Sequence, residues 1–215
     1  MSADFGPAVV AWRGSSDPAA PLVVLLHGRG SNERDIADLA AHLPLGPAYA
    51  ALRAPIEEGG GFAWFANRGV GRPRADSLAA TMDWFDSWLN AVAPVGRPVL
   101  LVGFSGGAAF AGGLILSHGP RFAGAAILLG TLPFDAGVPV ECNQLAGVAV
   151  LVAQGDTDSV IPRELLERTW DYLTSHSGAS VTTYRDPGGH GLSTGTVTAL
   201  NAWITDVLGI SEEEN

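Results

Sequence analysis

The chain has 215 residues, of which 47% are hydrophobic and 16% charged. That length suits one domain, residues 1–215, and so small a charged share argues against intrinsic disorder. The formal net charge is −10, and all 12 basic residues are Arg because the sequence contains no Lys. This excludes a Schiff-base lysine, a phosphate-binding-loop lysine and a Ser–Lys dyad. It also argues against a nucleic-acid partner, whose phosphates need a basic patch. The single cysteine, Cys142, excludes an intramolecular disulfide and a multi-cysteine zinc site. The first residues lack a charged segment followed by an apolar one, so no signal peptide is expected and the setting reads as cytoplasmic.

Taken in chain order, residues 9–12 read as a short edge strand. Residues 21–26 form an apolar run that ends in the turn His27-Gly28-Arg29-Gly30. Residues 35–43 place Ile36, Leu39, Ala40 and Leu43 at helical spacing, and 48–52 read as another strand. Residues 53–74 contain three consecutive glycines and Trp64-Phe65, and read as a long loop. Residues 76–92 read as a helix with Leu78, Met82, Phe85 and Leu89 on one face.

The stretch 98–117 carries no charge and approaches the length of a membrane-spanning helix. Five glycines divide it, however, and it reads better as a buried strand at 99–102, a break, and a buried helix at 107–117. Strands follow at 124–129 and 148–153, a helix at 162–176 with Pro in its first turn, and a strand at 180–184. A turn at 186–190, a helix at 194–208 and a solvated, flexible acidic tail at 211–215 complete the pattern. Alternating strands and helices predict an α/β fold with a mostly parallel central sheet and helices on both faces. Functional loops then lie beyond the carboxyl ends of the strands.

Gly103-Phe104-Ser105-Gly106-Gly107 follows such a strand and matches Gly-x-Ser-x-Gly. A sharp strand-to-helix turn would present the Ser105 hydroxyl above the sheet, with glycines letting strand and helix approach closely. The plainer role for Ser105 is a helix N-cap. Gly191 to Gly195 also match the pattern, but Ser193 follows a turn rather than a strand.

A serine nucleophile needs a base and an orienting acid, in the order Ser, acid, His for this architecture. Of the five histidines, His190 alone lies in a glycine-rich turn after a late strand. Asp156 and Asp158 both follow the strand at 148–153. Asp158, further along the loop, is preferred as the acid, and Asp156 as a residue that holds the loop. A developing oxyanion needs two donors. The backbone N–H groups of Gly106 and Arg29 are the candidates, with Gly28 the second choice for the latter.

Together, His-Gly-Arg-Gly at 27–30, Trp64-Phe65, Gly-Phe-Ser-Gly-Gly at 103–107, Gly-Asp-Thr-Asp-Ser-Val-Ile-Pro at 155–162 and Gly-Gly-His at 188–190 resemble the phospholipase/carboxylesterase family of α/β-hydrolases. That family includes acyl-protein thioesterases and small bacterial carboxylesterases. The resemblance implies Ser105 as nucleophile, Asp158 as orienting acid, His190 as base, and Arg29 and Gly106 as oxyanion donors. It also implies Trp64 near the mouth of the site, while the residues alone read equally as a core aromatic anchoring a loop. Phe65, Ile161 and Leu192 join Trp64 as candidate substrate-binding residues. The family often has Gln after the nucleophile, where this chain has Gly106.

No cap domain, metal or cofactor is expected. The expected activity is hydrolysis of small to medium acyl esters through an acyl-serine. A thioesterase or lysophospholipase with the same residues is the alternative, and a non-catalytic binder of the same fold is the alternative from another class. The expected partner is a small-molecule ester, without nucleic acid or integral membrane association, and a homodimer is compatible with the sequence. As His190 must be neutral to act as base, activity should fall below about pH 6.5.

Overall fold

The computed structural model describes residues 5–210. The expected acidic tail at 211–215 lies outside the described residues. The strands of the main sheet are β1 (Val10–Gly14), β2 (Leu22–Leu26), β3 (Ala48–Leu52), β8 (Val99–Phe104), β9 (Gly124–Leu128), β10 (Ala149–Gly155) and β11 (Ser180–Asp186). Four short strands, β4 (Ile56–Glu58), β5 (Gly61–Ala63), β6 (Asn67–Gly69) and β7 (Arg72–Pro73), lie between β3 and β8. The main sheet has the order β1-β3-β2-β8-β9-β10-β11. β1 runs antiparallel to β3, and every other neighbouring pair is parallel.

The inner strands are apolar along their length because parallel strands are covered on both faces. β2 shows this directly. Leu22, Val24 and Leu26 point into one core, and Val23 and Leu25 into the other. The first core is closed by α2 (Ala75–Val92), α3 (Gly106–His118) and α4 (Arg163–Asp171). The second is closed by α1 (Glu33–Ala37) and α5 (Thr194–Leu208), through Ile36, Leu200, Trp203 and Ile204. In α2 the buried Leu78, Met82, Phe85 and Leu89 form one stripe. In α3 the residues from Gly107 to Leu116 are all buried, as its charge-free sequence suggests.

Three expectations need correction. The helix expected at 35–43 begins at Glu33, because the Asn32 side chain accepts from the N–H groups of Arg34 and Asp35 and caps it. It passes into a 3-10 turn at Asp38–His42. The region 53–74 is not one loop but two hairpins, β4–β5 and β6–β7. The helix expected at 162–176 is α4 followed by a π-helical turn at Tyr172–His176. Among the described residues no helix is long and apolar enough to cross a membrane.

Candidate active site

β8 ends at Phe104 and α3 begins at Gly106, so one residue makes the turn between them. Ser105 does so with φ 54° and ψ −112°, a backbone conformation that is costly for any residue with a Cβ. The surroundings hold it there. Ser105 N–H donates to Leu128 O at 3.0 Å, and Ser105 O accepts from Ala108 and Ala109 at 3.1 and 3.3 Å. The close approach needs glycine on both sides of the turn, as a Cβ at Gly103 would lie 2.3 Å from Gly107 O.

The strained turn points the Ser105 hydroxyl at His190. Ser105 Oγ lies 2.9 Å from His190 Nε2, and His190 Nδ1 lies 2.8 Å from Asp158 Oδ2. A carboxylate can only accept, so Nδ1–H donates to Asp158 and Nε2 accepts from Ser105. The Asp158 side chain is fully buried and that of His190 is 15% exposed. Asp158 Oδ1 accepts from the N–H groups of Val160 and Ile161 at 2.8 and 3.1 Å. The imidazole also packs against Phe104, with centroids 5.4 Å apart. Asp156 faces the other way. It is exposed and lies 3.9 Å from Arg185, while its N–H donates to Asp186 O.

The loop after β2 lies across the turn from Ser105. A Cβ on Gly106 would come 3.3 Å from Arg29 N, so these two residues lie side by side. Gly106 N–H is the first of α3 and has no acceptor within the helix. No described residue accepts from Arg29 N–H. The loop is anchored by a bridge to β5, through Gly30 N–H to Phe62 O and Phe62 N–H to Ser31 O, both 2.9 Å. The Arg29 guanidinium donates to both carboxylate oxygens of Glu58 and to Phe65 O at 3.0 Å.

Beneath the loop lies His27, which is 1% exposed. Its Nε2 accepts from Ala54 N–H at 3.0 Å and its Nδ1–H donates to Gly28 O at 2.7 Å. Burial pushes its pKa below the ordinary 6.5, which keeps that neutral tautomer.

Ser105 and His190 open into a cleft of about 570 Å³, whose walls include Ile36, Phe65, Phe104, Ala109, Ile161 and Leu192. Val70 and Val160, each about half exposed, also line it. Phe65, Ile161 and Leu192, the candidate substrate-binding residues, thus line the same cleft as Ser105 and His190. Trp64 lines the cleft from within. It is 1% exposed, stacks on Phe110 at 4.6 Å and donates to His27 O at 2.8 Å, so it is not at the mouth. Ser193 is the N-cap of α5, where its hydroxyl accepts from Thr196 N–H at 3.1 Å. His27, which braces the loop after β2, had no assigned role in the sequence.

A seven-stranded, mostly parallel sheet with helices on both faces and a strained serine turn after β8 defines an α/β-hydrolase. The chain belongs to the phospholipase/carboxylesterase family, whose model matches residues 8–207. MhqD of Bacillus subtilis is 26% identical over 201 residues, covering 91% of this chain and 96% of that protein. A Bacillus cereus carboxylesterase superposes with a TM-score of 0.81 at 23% identity, covering 93% of this chain and 94% of the other. Acyl-protein thioesterase 2 of Zea mays gives 0.74 at 23% identity, covering 95% and 100%. The fold and family are those of esterase-type hydrolases.

Proposed function

We propose that the protein is a serine carboxylesterase that hydrolyses small to medium acyl esters. The observation that carries this reading is the unbroken chain of hydrogen bonds from Ser105 through His190 to Asp158, set on a strained turn. His190 Nε2 takes the Ser105 proton as Oγ attacks the ester carbonyl. The carbonyl oxygen becomes an oxyanion between the N–H groups of Arg29 and Gly106. Collapse expels the alcohol, which receives the proton from His190, and leaves an acyl-Ser105. Water then gives a proton to His190 and attacks the acyl carbon, and the acid and free Ser105 are released. Asp158 holds the imidazole in the tautomer this requires and stabilises the imidazolium that forms. A cleft of this size and apolar lining suits an acyl chain rather than a charged group.

The test is a series of p-nitrophenyl esters of increasing chain length, with a fluorophosphonate probe read by mass spectrometry. The expected outcome is turnover of the shorter and middle esters, a single adduct on Ser105, and loss of both in Ser105→Ala. Full activity in Ser105→Ala would overturn the assignment. Thioesters and lysolipids in the same assay rank the alternative activities. A wild-type chain with neither adduct nor turnover would mark a binder.

A further inference from the structure

Two buried carboxylates take no part in that scheme: Glu33, which pairs with Arg53, and Asp186. Asp186 ends β11, is 2% exposed, and has no ion-pair partner among the described residues. Its Oδ1 accepts from Gly188 N–H at 2.7 Å, and its Oδ2 accepts from Thr196 Oγ1 at 2.8 Å and from Ser193 Oγ. The Ser193 hydroxyl foremost, then the Gly188 N–H and the Thr196 hydroxyl, hold this carboxyl below the usual range. A buried charge is tolerable only when satisfied in this way.

The three donors come from the start of a loop, from its end, and from the first turn of α5. That loop, residues 187–193, carries His190 between three glycines and contains no helix or strand. Ordering a residue costs backbone entropy, and glycine costs most. The position of His190 therefore depends on what closes the loop. Two further bonds tie the end of β11 and the same loop to the loop bearing Asp158. Asp156 N–H donates to Asp186 O at 2.7 Å, and Thr157 N–H donates to Gly188 O at 3.1 Å.

We propose that Asp186 is a positioning residue for His190. Its carboxylate clamps both ends of loop 187–193 and thereby sets the imidazole between Ser105 and Asp158. This rests on the reading of Ser105 and His190 given above. It also gives the second Gly-x-Ser-x-Gly match a role, because Ser193 is one jaw of the clamp. The carboxylate form suits the task because all three partners donate. An Asn could still accept from Gly188 and offer its amide to hydroxyls that can turn, so it would keep part of the clamp.

The experiment compares the wild type with Asp186→Ala, Asp186→Asn and Ser193→Ala on p-nitrophenyl butyrate. Rates are expressed per folded chain, from the thermal unfolding curve. A misplaced general base costs on the order of 100-fold. That loss is expected in the kcat of Asp186→Ala, with KM within about 3-fold, and Asp186→Asn should recover most of it. Proton NMR provides a second readout, the downfield resonance of the His190 Nδ1–H bonded to Asp158. It should weaken or vanish in Asp186→Ala and return in Asp186→Asn.

A purely structural Asp186 would lower the melting temperature and leave kcat per folded chain and the resonance unchanged, and that result would overturn the proposal. If Asp186→Ala does not fold, Ser193→Ala decides: a lower kcat per folded chain and a weaker resonance are expected, and wild-type values of both would overturn the proposal. If the wild type hydrolyses no ester, the esterase reading has failed, and the resonance alone still tests the clamp.

Discussion

A Cβ on Gly107 would lie 2.1 Å from Leu26 O and 2.8 Å from His27 O, where only the backbone of β2 could give way. Overpacking of this kind costs about 1–3 kcal/mol. Gly107→Ala should therefore lower stability by about 3 kcal/mol, seen as a lower urea midpoint with an unchanged slope. It should also reduce turnover, because Ser105 shares this turn. Residue types made the Ser, Asp and His legible, since few arrangements place a Ser after a buried strand and a His in a late glycine turn. Asp186 was less legible because an Asp in an Asp-Pro-Gly turn looks like ordinary turn chemistry. Only the fold shows that Ser193 and Thr196 return to it. Trp64 stayed open between mouth and core for a similar reason. The sequence shows an aromatic in a loop, but not that Phe110 of α3 would be waiting to stack on it.

The short strands that brace the loop bearing Arg29 were the least legible part of the chain. β4 and β5 have three residues each and β7 has two. Such lengths show no periodicity, and the glycines at 59–61 argue for a loop. Their pairing is a tertiary effect, since β5 forms its bridge to Ser31 in the loop after β2. The Arg29–Glu58 pair completes this strap, with the two side chains 34% and 40% exposed. Exposure limits the pair to about 1 kcal/mol of stability, so its main effect should be on geometry. Arg29→Ala keeps the backbone donor and removes the strap. It should lower kcat about 3- to 10-fold with little change in KM, as a small displacement of a catalytic group does. Arg29→Lys should not restore the rate, because an ammonium cannot make the paired contacts of a guanidinium. In the wild type, 1 M salt should move kcat part of the way toward the variant, by screening the pair.

At the scale of the molecule, the sheet and its two cores were readable because buried parallel strands are apolar without interruption. The order of the strands was not, since pairing depends on crossovers that composition does not encode. Charge acts at this scale as well. The net charge of −10 comes from 22 Asp and Glu against 12 Arg, and the ordinary pKa of a free carboxylate is about 4. Between pH 5 and 7 the titration of histidine should therefore govern stability. His27 is held neutral by burial, and its pKa lies below the 6.5 expected in the unfolded chain. The unfolded state then binds more protons than the folded one in the interval between the two values. Stability is full above about 6.5 and falls as the pH drops toward the lower, folded value. One histidine contributes a slope of at most about 1.4 kcal/mol per pH unit. At lower pH, Asp186 and Glu33 add to the loss. Their folded pKa values lie below the ordinary 3.8 and 4.5, through the Ser193 hydroxyl and the Arg53 guanidinium respectively. Their contribution is present above those ordinary values and is lost as the pH falls through the depressed ones. Urea midpoints from pH 8 to 3 should thus show a first decline starting near 6.5 and a second starting near 4. In His27→Asn the first decline should disappear and the second persist, and a first decline unchanged in that variant would remove His27 as its cause.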